Sequence, residues 1–160
     1  MTDTIQLTDA VTLRVRDTTP DRVDVDATYA PHGSRPPRHS HPHHDEHFEV
    51  LEGTLRVVVD GRQQDLTPGD TLDIPRGAVH HMWNPTAAPT RVRWLSTPAG
   101  RVEAYFRAMD ARPGPLALAG LLHEYRDVMT PAGPLARAFV TLVGPLTRRS
   151  TRSGRAFTAR

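Results

Sequence analysis

This sequence of 160 residues contains neither cysteine nor lysine. Without cysteine, disulfides, zinc–thiolate sites and cysteine nucleophiles are excluded, so any bound metal must have nitrogen and oxygen ligands. No apolar run approaches the ~20 residues that span a bilayer. The first residues also lack the basic and apolar segments of a secretory signal. We therefore expect a soluble, cytoplasmic protein whose length suits a single hydrophobic core.

The net charge of +2 is distributed unevenly along the chain. Residues 1–100 have 10 Arg and 14 Asp or Glu, a net −4, whereas residues 101–160 have 10 Arg and 4 Asp or Glu, a net +6. The last thirteen residues have five arginines, no acidic residue and little apolar surface, so we expect residues 148–160 to be a basic, disordered tail. A solvated terminus is favoured over a tail that binds nucleic acid, and no nucleic-acid partner is expected.

A helical period is missing from the first hundred residues, which instead alternate apolar and polar side chains in short stretches. Residues 4–16 and 23–29 each read as a half-buried strand. Asp60-Gly61 is a strong hairpin signal. Short strands divided by Gly and Pro turns predict an antiparallel sandwich or barrel. The candidates for its interior are Phe48, Val50, Leu55, Val57, Ile74, Met82, Val92 and Trp94, whereas Trp83 should face outward.

After Pro98 the apolar period becomes that of amphipathic helices. The three stripes are Val102, Tyr105, Phe106 and Met109; then Leu118, Leu121, Leu122 and Tyr125; then Leu135, Phe139, Leu142, Val143 and Leu146. The third helix should begin at Gly133-Pro134 and stop at Gly144-Pro145. Its stripe should pack on the barrel or on a partner subunit; membrane contact is an alternative that we do not favour. The predicted organisation is a barrel over 1–100, a helical extension over 101–147 and the tail over 148–160.

Five of the nine histidines lie between Gly33 and Gly53, just ahead of a predicted strand. His39 and His41 are two positions apart, so they face the same side of an extended segment. Glu46 begins the next strand, and His80 follows a later proline–glycine turn. Three imidazoles and one carboxylate suit a divalent transition metal with open positions, and the donors admit iron, manganese, nickel, copper, cobalt or zinc.

The other histidines are expected to lie outside this site. His43, His44 and His47 are predicted to be solvated loop or outward strand residues, and His81 to be a surface residue that points away from His80. His32 and His123 are expected to be incidental.

Two stretches resemble the signature motifs of the cupin superfamily, with every fixed position filled. The first is Gly33-x5-His39-x-His41-x4-Glu46-x6-Gly53, and the second is Gly69-x5-Pro75-x-Gly77-x2-His80-x3-Asn84. The fifteen residues between Gly53 and Gly69 match the spacing of small single-domain microbial cupins. The resemblance covers about residues 25–100.

The resemblance implies a mainly β fold: a cupin-type double-stranded β-helix, or jelly-roll barrel, followed here by C-terminal α-helices. It also implies that His39, His41, Glu46 and His80 point into the barrel as metal ligands. The stretch from Thr97 to Gly100, leading into a helix with Tyr105-Phe106, is similar to small cupins described as quercetin-dioxygenase-like. Since cupin barrels commonly pair through an exposed sheet edge, a homodimer is expected by analogy.

These features lead us to interpret the protein as a metal-dependent enzyme, a dioxygenase-like oxidoreductase acting on a small organic substrate inside the barrel. Glu46 is the candidate general base. The residues expected to line the substrate pocket are Phe48, Val57, Met82 and Trp94. The alternative is a non-catalytic small-molecule-binding or sensor module, and a zinc-holding dimer scaffold is a third possibility. The sequence leaves open the substrate, the metal and whether the barrel is catalytic.

Overall fold

The structure, a computed structural model, describes residues 4–111 and 113–152, with side chains up to residue 147. The strands before the first helix are β1 Thr4–Thr8, β2 Val11–Thr18, β3 Val23–Tyr29, β4 His39–Ser40, β5 Asp45–Glu52, β6 Leu55–Val59, β7 Arg62–Leu66, β8 Thr71–Ile74, β9 His80–Trp83 and β10 Thr90–Thr97. They are followed by α1 Val102–Asp110, α2 Pro115–Glu124, β11 Thr130–Pro131 and α3 Pro134–Arg152.

Two antiparallel sheets form the barrel, in the orders β1-β2-β3-β10-β5-β8 and β11-β4-β9-β6-β7. The alternating side chains of their strands meet in one core, and all eight residues predicted to face the interior are buried. Phe48 on β5 pairs with Trp94 on β10 in the first sheet, and Val57 on β6 pairs with Met82 on β9 in the second. The predicted mainly β jelly-roll architecture with C-terminal helices is confirmed.

Gly53 shows why the first motif ends in glycine. Its φ is +79°, a left-handed conformation that disfavours side chains. A Cβ at this position would also lie 2.7 Å from the carbonyl oxygen of Pro89 and 2.6 Å from Oγ1 of Thr90. Any larger residue would therefore push the β5–β6 turn away from the start of β10.

Asn84, the last residue of the second motif, has a structural role at the end of β9. Its amide donates to the carbonyl oxygens of Tyr29 and Ala88, and its Oδ1 accepts a hydrogen bond from the backbone N–H of Thr86. The fully buried side chain thus ties the β9–β10 loop to the end of β3.

The helical extension is attached to the barrel rather than separate from it. On α1, Val102, Tyr105 and Phe106 are buried in the barrel core, as the first stripe predicts, and the Phe106 ring lies 5.0 Å from that of Trp94. α2 and α3 pack closely, because a Cβ on Gly144 would lie only 2.5 Å from Cβ of His123. Within the described residues, no helix is long and apolar enough to cross a bilayer.

Three local features differ from the sequence predictions. Residues 4–16 are not one strand but the β1–β2 hairpin, which turns at Asp9-Ala10. The third helix does not stop at Gly144-Pro145; it continues to Arg152, so the expected tail boundary at residue 148 falls inside a helix. The strand β11 was not predicted. The remainder of the expected tail, residues 153–160, lies outside the described residues.

Candidate metal centre

Elements of both sheets bring the four predicted ligands together. His39 on β4 and His80 on β9 are register partners in one sheet, and His41 follows directly after β4. Glu46 comes from β5 of the opposite sheet. Residues of the first and second motifs, more than thirty positions apart in the sequence, therefore face one another inside the barrel.

The donor atoms of the three histidines form one close group, and the carboxylate of Glu46 contacts two of them. The ligand atoms of His39, His41 and His80 all lie within 4.8 Å of one another. Oε1 of Glu46 is 3.2 Å from Nε2 of His41, and its Oε2 is 3.0 Å from Nε2 of His80. Nitrogen and oxygen ligands lie about 2.0–2.2 Å from a bound transition metal, so this arrangement is compatible with a single divalent ion.

Backbone carbonyls orient all three imidazoles. The Nδ1 atoms lie 3.1 Å from the carbonyl oxygen of Pro37 for His39, 2.7 Å from that of Val128 for His41, and 3.1 Å from that of Ala78 for His80. A ring that donates its Nδ1–H to a carbonyl presents its Nε2 lone pair to a metal. The three Nε2 atoms are therefore the candidate donors.

Two buried atoms of the cluster lack a hydrogen-bond partner among the described residues: Nε2 of His41 and Oε2 of Glu46. The contact of Oε2 with Nε2 of His80 is short but does not have the geometry of a hydrogen bond. Unpaired buried polar atoms are rare and costly in folded proteins. Since both atoms belong to the His–Glu cluster, the residues present fit a metal ion.

The protonation states of Glu46 and His39 also suit metal binding. Burial raises the pKa of Glu46, but its interactions with His41, His80 and His39 outweigh that effect, so that the pKa is about 2. Burial, together with the neighbouring His80 and His41, lowers the pKa of His39 to about 3. At His80 burial also lowers the pKa, but the contacts with Glu46 raise it by more. The pKa of His80 therefore lies above its usual value. An ionised carboxylate and a neutral imidazole are the forms that bind metals.

His44 was predicted to be a solvated residue, and this is wrong. Its side chain is only 4% exposed, and its ring lies 4.4 Å from that of His41. Nε2 of His44 is 4.0 Å from Oε1 of Glu46, and the donor atoms of His41, His44 and Glu46 form a second close group. His44 lies between the bend at residues 42–43 and the start of β5, and the chain there turns its side chain inward.

His81 was expected at the surface, and this is also wrong. It points away from the cluster as predicted, but Arg35 and Pro36 cover it and leave it 4% exposed. Arg35 also lies over the ring of Trp83, 4.5 Å from its centroid. His43 is exposed as predicted, and the half-exposed His47 contacts Asp73 on the neighbouring strand.

The four residues predicted to line a substrate pocket are all part of the packed core. Trp94 lies between Phe48 and Phe106, with ring centroids 5.4 and 5.0 Å away, and its indole Nε1 donates to Oε1 of Glu46. A cavity of about 540 Å³ adjoins Glu46 but is lined by none of the four. Its lining residues are Asp45, Glu46, His47, Asp73, Ile74, Pro75 and Thr97. That Phe48, Val57, Met82 and Trp94 contact a substrate stays a prediction.

The family match lies within the barrel. Residues 25–97 match the Cupin_2 family, described as a cupin domain. Quercetin 2,3-dioxygenase of Bacillus subtilis is 39% identical over 56 residues, 35% of this chain and 17% of that protein. The oxidoreductase iacF of Pestalotiopsis fici is 45% identical over 49 residues, 30% of this chain and 24% of that protein. The chain thus matches less than a third of the length of either relative.

Solved structures share the same fold. KdgF from Halomonas sp. aligns with a TM-score of 0.57 and 23% identity, over 63% of this chain and 92% of that one. An RmlC-like cupin from Shewanella frigidimarina aligns with a TM-score of 0.58 and 21% identity, over 64% and 89%. With both signature motifs complete and the barrel formed, residues 25–97 are a cupin domain.

Proposed function

We propose that the protein is a metal-dependent enzyme, a dioxygenase-type oxidoreductase that acts on a small organic substrate at the barrel centre. The observation that carries the proposal is the pair of unpartnered buried atoms, His41 Nε2 and Glu46 Oε2, inside a three-histidine, one-glutamate cluster. Similarity of the barrel to a dioxygenase and to an oxidoreductase supports the reaction class. The nitrogen and oxygen donors are compatible with iron, manganese, nickel, copper, cobalt or zinc.

In this function His39, His41, His80 and Glu46 hold the metal, which when bound supplies Lewis-acid activation and a template for the substrate. Glu46 has a second role as the general base. Its low pKa in the cluster favours the role of ligand. When the carboxylate moves away from the imidazoles, burial is left as the dominant effect and raises its pKa, so that it can accept a substrate proton.

Metal content and oxygen consumption test this function together. Protein purified without chelator or histidine tag should contain one transition metal per chain by elemental analysis. Reloaded separately with iron, manganese, nickel, copper, cobalt or zinc, it should consume oxygen with at least one member of a panel of flavonols and catechols. Protein that holds its metal yet consumes no oxygen with any substrate would contradict the enzymatic proposal.

Glu46→Gln separates the two roles of the carboxylate. It should abolish turnover while retaining a measurable fraction of the bound metal. Glu49→Gln is the matched control, because Glu49 lies on the same strand but on its outward, half-exposed side. Full activity of Glu46→Gln would exclude Glu46 as the base.

A non-catalytic binding or sensor module is the second candidate. The tight packing of Phe48, Trp94 and Phe106 behind Glu46 leaves little room for an organic substrate in the interior, and so favours a module that takes only a small ligand at the metal. This function predicts that small ligands shift the spectrum of the bound metal without oxygen uptake or product. Calorimetry and product analysis on the same panel distinguish the two candidates.

A further inference from the structure

One contact of the metal centre comes from outside the cupin domain. Nδ1 of His41 lies 2.7 Å from the carbonyl oxygen of Val128, a residue 87 positions later in the chain. Val128 is 3% exposed, so water does not compete for this hydrogen bond. The cupin match ends at residue 97, so the contact belongs to the C-terminal extension.

The segment from Asp127 to Ala132, here called the 127–132 segment, is docked on the strand that carries the ligands. Its strand β11 pairs with β4, with Thr130 opposite Ser40 and Pro131 opposite His39. The N–H of Ala132 donates to the carbonyl oxygen of Arg38 over 2.8 Å. β4 is therefore held on one side by β9 and on the other by a segment of the extension.

The same segment is anchored at its beginning. Arg101 forms a two-pronged ion pair with Asp127, donates to the carbonyl oxygen of Glu124 and lies over the ring of Tyr125. The N–H of Val128 donates to the carbonyl oxygen of Tyr125. These contacts place the Val128 carbonyl relative to the first turn of α1.

The geometry makes the choice of tautomer at His41 decisive. With the proton on Nδ1 and donated to Val128, Nε2 of His41 has a free lone pair. With the proton on Nε2 instead, that nitrogen has no lone pair to offer a metal, and the nitrogen that keeps one, Nδ1, faces the carbonyl of Val128. A carbonyl fixed at Val128 favours the first tautomer and so preserves Nε2 of His41 for a metal.

We propose that the 127–132 segment is a positioning element of the metal centre, which selects the metal-binding tautomer of His41 through the Val128 carbonyl. Full metal affinity therefore requires the docked C-terminal extension as well as the cupin domain. The inference rests on the proposed function only in that the site holds a metal.

Two full-length variants loosen the segment without changing a ligand. Asp127→Ala removes the ion pair with Arg101, and Ala132→Pro removes the N–H that donates to Arg38. Glu103→Ala is the matched control, because it removes an ion pair with Arg107 on α1 that does not contact the segment. Unfolding of each variant is measured first, so that only folded protein is compared.

The first measurement is made on metal-free protein by ¹⁵N NMR of the histidine rings. Wild type and Glu103→Ala should have His41 protonated at Nδ1, whereas Asp127→Ala and Ala132→Pro should show a population protonated at Nε2. The second measurement is competition with a metal-binding dye. The two variants should bind divalent metal up to about 10-fold more weakly, which is the lower end of the 10- to 100-fold range for loss of a partner that orients a ligand.

In the two variants, faster hydrogen exchange at the Val128 amide shows that the segment has loosened. The inference is overturned if His41 then stays protonated at Nδ1 and the metal affinity is unchanged. Failure of the proposed function has a different signature. Wild-type protein would then bind no metal, but the tautomer in the metal-free protein would still report whether Val128 orients His41.

Discussion

The indole of Trp94 donates a hydrogen bond from Nε1 to Oε1 of Glu46 over 3.1 Å, inside the barrel. Trp94 lies on β10 and Glu46 on β5, neighbouring strands of the same sheet. The bond occupies one carboxylate oxygen and leaves Oε2 facing His80. A residue first considered as a wall of the substrate pocket thus orients a candidate metal ligand.

Trp94→Phe should weaken metal binding about 10-fold, because outer hydrogen-bond partners of metal ligands typically contribute 10- to 100-fold in affinity. The ring of phenylalanine still fills the core between Phe48 and Phe106 but cannot donate to Glu46. The control is Trp83→Phe, since Trp83 is the other tryptophan and lies on the outer face of the barrel. A dye-competition titration of both variants checks the prediction.

Fluorescence provides an independent readout of the same contact. A paramagnetic ion bound beside Glu46 should quench Trp94 strongly, so Trp83→Phe should keep most of the quenching and Trp94→Phe should lose it. Equal quenching in the two variants would place the ion away from Glu46.

Removal of His44 should affect metal binding less than removal of His41. The ring of His44 lies 4.4 Å from that of His41, and its Nε2 approaches Glu46 only to 4.0 Å, whereas Nε2 of His41 lies 3.2 Å from the same carboxylate oxygen. We expect His44→Gln to weaken metal binding by less than about 10-fold. His41→Gln should weaken it by more than about 100-fold, which exceeds the range for residues that only contact a ligand. Equal losses in the two variants would identify His44 as a direct ligand.

Stability at low pH should depend on Asp26, a buried carboxylate on β3 that pairs with Arg14 and Arg16. Burial raises the pKa of Asp26, but the hydrogen bonds and charges of the two arginines outweigh it, so the pKa lies below its usual 3.8. A carboxyl whose pKa is lower in the folded state stabilises the fold above the unfolded pKa, and this contribution is lost as the pH falls through the folded pKa.

Asp26→Asn should therefore lower the free energy of unfolding by about 1 kcal/mol at pH 7, the size of a partly exposed ion pair. This loss of stability should become smaller as the pH falls below 3.8. Urea denaturation at pH 7 and at pH 3 measures both values. Asp17→Asn removes an exposed pair with Arg22 and should have little effect at either pH. A difference for Asp26→Asn that grows at pH 3 would contradict the assigned sign.

Local patterns in the sequence were sufficient to predict the barrel interior and to locate the two motifs. Phe48, Val50 and Val92 are buried because strict alternation places every second side chain of a strand on one face. The proximity of His39 and His80 followed from the family resemblance and not from alternation alone. Strand pairing between residues forty positions apart is a property of the whole sheet.

The features that the sequence did not predict depend on tertiary contacts. β11 is two residues long, too short for an alternating pattern, and is extended only because it pairs with β4. α3 continues through Pro145 and packs closely against α2 at Gly144, a tertiary contact that overrides the local signal to stop. The contact between Val128 and His41 also depends on tertiary structure, because it forms only when the C-terminal extension folds back over the barrel.

An apolar face of α3 remains exposed among the described residues and is the surface that we expect to form a homodimer. Leu135, Leu142 and Leu146 are 86, 71 and 68% exposed and, with Phe139, recur four, three and four positions apart on one side of the helix. These four side chains form an apolar patch on α3, and exposed apolar patches mark interaction surfaces. A second copy is the favoured occupant, because an isologous contact would cover the same patch on both partners.

Leu142→Asp should convert the dimer to a monomer, since it places a charge at the centre of the patch. Thr141→Asp is the matched control, because it adds the same charge to an exposed position of the same helix outside the apolar stripe. Sedimentation equilibrium at micromolar concentration measures the state of each protein. A monomeric wild type, or a dimer that survives Leu142→Asp, would exclude this interface. If the monomeric wild type instead co-sediments with anionic vesicles and Leu142→Asp does not, the patch is a membrane contact, because the helix has four arginines and no acidic residue over 134–152.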